Sequence, residues 1–545
     1  MRVASRMKLS YWGAELVGQR WQTVTERFMK TRSVLIRAFI AALIPGALFI
    51  ALVSWGLSSP VGSSPDDDYH MASIWCGQGV REGLCEKGNS ATERRVPAVL
   101  NEYPNCFSYH PEHNASCAQK PASILANTDR GNFNGGAYPP VYYAVMSVFA
   151  GESVATSILL MRIFNALLFV GTVSTVFFLL PRSGRGPLTW GTLISVVPLG
   201  MFLIPSVNPS SWAVLSAATL WVSLLGYFKA TQRNRRIGFA GIASLMTLVG
   251  AGARSDSAVY GVLAMLVVAV LAFEKSRGYA VRALLLVALA AISVGLFRSA
   301  GQAAVLDPNA LSDTTQDAIW DLTVTNFRLL PELWAGSLGT WGLGWLDTAL
   351  PGSVWVTTLA VFSAVVFWGL QKLPWRKSLA FAMVFGSLIV VPMYILVHDR
   401  VYVGAYVQPR YIYPLVILLA GIALLWLGRD DLRLSRPQLL IVASLVSLAN
   451  AVALHINIRR YVTGLDVDDL NLNHKAEWWW VFPFAPMTPF SPLGIWAIGT
   501  VAFAAAAVGL VLYSRKSAGG QSDAFPLDAD AQDVRASGMS PIRLR

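Results

Sequence analysis

The feature that most constrains this chain is a series of about twelve long, nearly uncharged apolar runs, from Ala38–Leu57 near one end to Leu493–Tyr513 near the other. Runs of about 18 residues cross the roughly 30 Å of bilayer hydrocarbon as helices. No water bonds the backbone there, so only helices or closed barrels span it, and the strict alternation of barrel strands is absent. Composition agrees: 14% charged residues with a mean hydropathy of +0.50 excludes an ordinary soluble protein, in which about 25% of residues are charged. The expected fold is an all-α polytopic membrane protein. Its multi-span domain covers 38–514, between a basic tail over 1–37 and a disordered tail over 515–545. Leu188–Ile204 reads as one of the spans.

Lys and Arg set the orientation, because basic loops stay on the cytoplasmic side. With the N-terminus inside, the inner segments hold 28 of the 43 basic and 9 of the 31 acidic residues, a net of +19. The outer segments carry a net of −7. Both termini are therefore expected inside, with the first run an uncleaved signal anchor in a multi-pass plasma-membrane protein. The basic balance suits anionic lipid on the inner face and calls for no nucleic-acid partner.

The outer loops hold the unusual sequence. The first, 58–137, contains all four cysteines: Cys76, Cys85, Cys106 and Cys117. Four cysteines in one exported loop fit two disulfides, and the local pairs Cys76–Cys85 and Cys106–Cys117 close the shortest loops. Their spacing lacks the paired pattern of a zinc site. The same loop opens on Pro65-Asp66-Asp67-Asp68-Tyr69-His70. Adjacent carboxylates repel unless a cation or a shared proton compensates. If a helix starts at Asp66, His70 falls one turn along on the same face, so that the pair can take a proton from a hydroxyl or bind a divalent cation such as Mg or Mn through Asp66 and Asp67. The residues fit equally a capped, solvated acidic turn.

After the loop, Tyr138-Pro139-Pro140-Val141-Tyr142-Tyr143 predicts a short interfacial helix starting behind the prolines. Arg162 falls inside the second span, where an arginine faces a partner or polar cavity unless it snorkels outward. Arg254, Arg400 and Arg410, the last within Gln408-Pro409-Arg410-Tyr411, stand at outer ends of spans and suit phosphate or carboxylate, though each also serves as a topological flank. The outer loop 298–352 carries a glycine and tryptophan segment with Trp345 and Asp347, and 457–491 ends in Trp478-Trp479-Trp480-Val481-Phe482-Pro483. Both read as sugar-stacking platforms or aromatic belts.

These motifs, joined by Asn208-Pro209 and Gly344-Trp345-Leu346-Asp347-Thr348, come in the order seen in a bacterial membrane-protein family of unknown function, the domain-of-unknown-function family numbered 2142. The chain resembles that family over nearly its whole length, and the cysteine-bearing loop resembles its actinobacterial members. Asp67 stands where the family commonly has Glu, and Tyr138 where His is common. The family in turn resembles the GT-C glycosyltransferases. That resemblance implies a sugar moved from a polyprenyl-phosphate donor to an envelope glycan or lipid acceptor on the outer face. Asp66, Asp67 and His70 would be catalytic, while Arg162, Arg254, Arg400, Gln408, Arg410, Trp345, Asp347 and Tyr138 would bind substrate. A transporter or flippase, or a non-catalytic envelope scaffold, are the alternatives. No Walker motif or dinucleotide fingerprint points to nucleotide use.

Overall fold

The computed structural model describes residues 42–118, 120, 123–134, 136–301, 315–405, 407–425, 434–477, 479 and 491–516. The tails over 1–37 and beyond 516, together with Trp478, Trp480, Val481, Phe482 and Pro483, lie outside the described residues. Helix α1 (Ala42–Leu57) leads into the large first loop, which carries helix α2 (Asp67–Trp75) and ends in α3 (Val141–Met146). Then follow α4 (Val154–Leu179), α5 (Arg182–Val196), α6 (Leu199–Leu203), α7 (Ser210–Lys229), α8 (Arg233–Ala253), α9 (Ser255–Leu271), α10 (Arg277–Arg298) and α11 (Gln316–Ala335). The chain closes with α12 (Gly352–Gly369), α13 (Trp375–His398), α14 (Pro409–Ala423), α15 (Arg436–Val462) and α16 (Pro492–Lys516). Among the described residues, eight of these are long and apolar enough to cross a membrane: α4, α7, α8, α10, α12, α13, α15 and α16. Helices α1, α9 and α14 are shorter and apolar.

One expectation needs correction. Leu188–Ile204 is not one helix: α5 stops at Val196, Val197 is extended at φ −97° and ψ 135°, and α6 starts behind Pro198. Proline has no N–H for the helix ladder and drives the residue before it out of helical geometry. The chain is mostly helical, as the expected all-α class requires. The first loop contains a small antiparallel sheet of β1 (Glu86–Lys87), β2 (Arg94–Pro97) and β3 (Leu125–Thr128), in that order.

Helix α7 is buried along nearly its whole length, and Thr219 Oγ1 donates back to Leu215 O within the helix at 2.7 Å. Small residues bring its neighbours close. A Cβ on Gly191 of α5 would come within 3.1 Å of Gly421 in α14, and one on Gly421 within 2.5 Å of Trp221 in α7. Helix α10, by contrast, leaves Val281, Leu284 and Val287 exposed. Apolar side chains on the perimeter of such a bundle suit hydrocarbon rather than water.

Buried polar contacts fix the turn that follows α1. Arg162 of α4 donates to the carbonyls of Gly56 and Ser59, both at 2.6 Å, and of Pro60 at 2.7 Å. Carbonyls at a helix C-terminus lack intrahelical donors, and a cation there is favoured. The partners of Arg162 are therefore backbone, and the guanidinium is buried rather than snorkelled. Asn457 of α15 donates to Ser58 Oγ at 2.8 Å and Ser59 Oγ at 2.9 Å. Asn165 of α4 donates to Ser206 O at 2.7 Å and accepts from Trp212 Nε1 at 3.0 Å.

Both disulfides join the local pairs, Cys76 with Cys85 and Cys106 with Cys117. The first ties the end of α2 to the start of the sheet. Loops of this size give about 3 kcal/mol per bridge from chain entropy. Replacing Cys76 and Cys85 together by serine should lower the denaturation midpoint accordingly in chemical unfolding of the purified protein. An unchanged midpoint would mean that the loop is held by its other contacts.

Candidate functional site

The site begins at a strained turn. Pro65 biases Ser64 towards extended backbone, and Asp66 then adopts the left-handed conformation, φ 57° and ψ 25°, which aspartate tolerates better than most residues. Helix α2 therefore starts at Asp67, one residue later than the sequence expectation. The turn is pinned through the Pro65 carbonyl, which accepts from Asn208 Nδ2 at 2.9 Å and from Arg410 Nη1 at 3.1 Å. Arg410 also pairs with the Asp66 carboxylate through Nη2. These residues lie 344 positions apart in the chain.

The neighbouring acids divide into different environments. Asp66 keeps part of its side chain exposed and has Arg130 Nη2 at 3.9 Å as a second cation. Burial alone would raise its pKa, but Arg410 and Arg130 outweigh that and hold the carboxyl below the ordinary value. Asp67 is fully buried, with Oδ2 accepting from Ser64 N at 2.9 Å and Oδ1 without a hydrogen-bond partner among the described residues. Burial pushes its carboxyl up to about 8, so it is mostly neutral at pH 7. Asp68 pairs with Arg130 at 2.5 Å. His70 does not form the expected dyad with an aspartate: its Nδ1 meets Tyr143 Oη at 2.9 Å, its ring lies edge-on to Tyr138 at 5.1 Å, and burial lowers its pKa to about 3. A neutral imidazole results.

Two guanidinium groups share one aromatic ring. Arg254, between α8 and α9, lies 4.8 Å from the Tyr411 ring centre and 5.7 Å from that of Tyr138, while Arg410 lies 5.1 Å from Tyr411. Arg254 is neutralised by Asp256 at 2.6 Å and Arg410 by Asp66. Such cation–π seating holds the planar groups where they can present their forks. Arg400 is exposed in the turn after α13, with φ 54°, apart from this buried pair in burial and setting.

The glycine and tryptophan loop joins the same place. A cavity of about 20 Å³ is lined by Pro65, Trp341, Leu346, Gln408 and Arg410, and by Phe202 of α6. Asp347 and Trp345 have partners of their own in the support of the loop. Asp347 pairs with Arg460 at 2.7 Å and accepts from Tyr109 N at 3.1 Å, and Trp345 Nε1 donates to Gly62 O at 2.9 Å. The Trp345 ring is buried, with Tyr109 5.3 Å away, so it offers no open platform. An apolar crevice of about 120 Å³ lies away from these charged groups, among α1, α4, α5 and α16, lined by Leu48, Phe169, Val173 and Phe503. It reaches Met201 and Ile204, so α6 forms the wall between the crevice and the cavity at Arg410.

The DUF2142 family of predicted membrane proteins matches residues 48–419. That stretch spans every element of the cluster from Pro65 to Arg410. The chain belongs to this family. No curated protein and no solved structure matches it.

Within this DUF2142 protein, Asp66 is already held by two guanidinium groups and Asp67 is buried, accepting from Ser64 N. Three residues that sequence reasoning missed do much of the positioning. Arg130 joins Asp66 and Asp68, and Arg460 joins Asp347. Asn132 Oδ1 accepts from Tyr69 Oη at 3.0 Å and Tyr138 N at 2.8 Å. Arg130 and Asn132 are polar loop residues without periodicity, and Arg460 lies in the last turn of α15, so no local pattern marked them.

Proposed function

We propose that this protein is a GT-C-like glycosyltransferase that moves a sugar from a polyprenyl-phosphate donor to an envelope glycan or lipid acceptor. The observation that carries the reading is the seating of Arg410 and Arg254 on Tyr411 beside the Asp66 carboxylate. Two planar cations presented together suit a phosphate, and a carboxylate beside them suits a hydroxyl that must lose its proton. In the free protein Asp66 is a weak base, since its own ion pair stabilises the charged form. The donor phosphate competes for Arg410, and releasing Asp66 from that pair raises its basicity when both substrates are present. Asp66 then takes the proton of the acceptor hydroxyl. The acceptor oxygen bonds to the sugar's anomeric carbon, and the bond from that carbon to the phosphate oxygen breaks. The pair of electrons leaves with polyprenyl phosphate, whose charge Arg410 and Arg254 stabilise. The apolar crevice beyond α6 suits the polyprenyl tail.

The eight long helices, the three shorter ones and the α5–α6 segment correspond to twelve passes through the plasma membrane. With both termini cytoplasmic, the Asp66 cluster and the disulfides face outward, where oxidising conditions favour the bridges. A reporter fused after Lys516 should be cytoplasmic and one inserted at Asn89 external. Finding the two on the same side would overturn the topology. The activity itself is tested in proteoliposomes loaded with a panel of polyprenyl-phosphate sugars and envelope extract as acceptor. Release of polyprenyl phosphate is expected for at least one donor, and a donor pool unchanged across the panel would count against transfer.

A further inference from the structure

The outer loop around the second disulfide carries a cluster that the transferase reading does not use. His110-Pro111-Glu112-His113 lies between the bridged Cys106 and Cys117. One ligand atom from each of His110, Glu112 and His113 lies within 4.8 Å of the other two. Glu112 Oε1 stands 3.5 Å from His110 Nδ1 and 3.7 Å from His113 Nε2. Nitrogen and oxygen ligands on one tetrahedral zinc, bound at about 2.0–2.1 Å, stand about 3.3 Å apart. These two pairs need to close by a few tenths of an ångström, and the His110 and His113 nitrogens, within 4.8 Å, close with them.

His113 is held as a metal-binding imidazole is. His113 Nδ1 is 3.0 Å from the Cys106 carbonyl, an acceptor, so Nδ1 carries the proton and the Nε2 lone pair faces Glu112. Such an outer hydrogen bond fixes the tautomer and ring orientation of a ligating histidine. The backbone beneath is clamped independently of any ion. Arg460 donates to the carbonyls of Phe107 at 2.6 Å and His113 at 2.7 Å, and Leu465 N donates to Pro111 O at 2.8 Å. All three side chains are exposed, so an ion enters from solvent without the loop opening.

We infer that His110, Glu112 and His113 bind a divalent transition-metal ion of the zinc type, with solvent completing its coordination. Two imidazoles and one carboxylate select such an ion over magnesium or calcium, which prefer all-oxygen shells. The ion would brace the loop whose Tyr109 N–H holds Asp347. The site stands whether or not the protein transfers sugars.

The test is calorimetric titration of the full chain, purified without a polyhistidine tag and with both disulfides intact, using zinc chloride and, separately, magnesium chloride. One equivalent of zinc should bind and magnesium should not. His110→Ala and Glu112→Gln, each made in an exposed side chain under an intact bridge, should weaken zinc binding more than about tenfold. His474→Ala, at the exposed His474–Asp469 pair, should leave it unchanged. No binding of zinc to the parent chain, affinity unaltered by His110→Ala and Glu112→Gln, or equal loss in His474→Ala would each overturn the assignment.

Discussion

Replacing Asp66 by asparagine should lower sugar transfer by about a hundredfold to ten-thousandfold, the usual contribution of a general base, while the protein still folds. Asparagine keeps the shape and the hydrogen-bonding oxygen but cannot take a proton. Arg410→Lys should cause a loss of similar size by another route. Arg410 holds the Pro65 carbonyl and the Asp66 carboxylate through separate nitrogens of one planar group, and a lysine point charge cannot present that fork to a phosphate. Asp67→Asn supplies the contrast. Its carboxyl, pushed up to about 8 by burial, is mostly protonated at pH 7, and an amide oxygen can accept from Ser64 N as Oδ2 does. Transfer should be largely retained. The parent should also lose stability through this group as pH rises from about 4 to about 8, because in that window the folded state holds a proton that the unfolded chain has released. Asp67→Asn should lack that part of the slope in unfolding curves measured across pH. Full transfer by Asp66→Asn, measured with the same donor, would remove Asp66 from the reaction.

Arg162→Met is expected to be the most damaging substitution for the fold. It leaves the carbonyls of Gly56, Ser59 and Pro60 buried without their donor, and each such loss costs about 1–3 kcal/mol. The turn bearing Asp66 hangs from those carbonyls. The variant should accumulate poorly in membranes and, where it can be purified, unfold at markedly lower temperature than the parent. Arg162→Lys keeps a charge and some donors but cannot reach three carbonyls in one plane, so an intermediate midpoint is expected. A midpoint for Arg162→Met equal to that of the parent would show that the turn is held by Asn457 and Asn208 instead.

How far the sequence could be read depended on the kind of signal involved. Long apolar runs announce spans whatever surrounds them, because hydrocarbon admits little else. The break within Leu188–Ile204 was also in view, as Pro198, but hydropathy alone averages it away. Local disulfide pairing followed from short spacing within one loop. The meeting of Asp66 with Arg410 was approachable only through the order of motifs along the chain, since local periodicity carries no information across 344 positions. Its fine structure was not legible. Which aspartate would be buried and neutral, that His70 would turn to Tyr143, and that Asp347 would answer Arg460 all depend on packing between distant loops.

The most direct measurement is a structure of the protein in nanodiscs with a bound polyprenyl-phosphate sugar. The phosphate is expected on the Arg410 guanidinium with Arg254 across Tyr411, the Asp66–Arg410 pair opened, and the tail in the crevice lined by Leu48 and Phe169. A donor bound elsewhere, with the Asp66–Arg410 pair still closed, would contradict the assignment of this cluster as a transferase site.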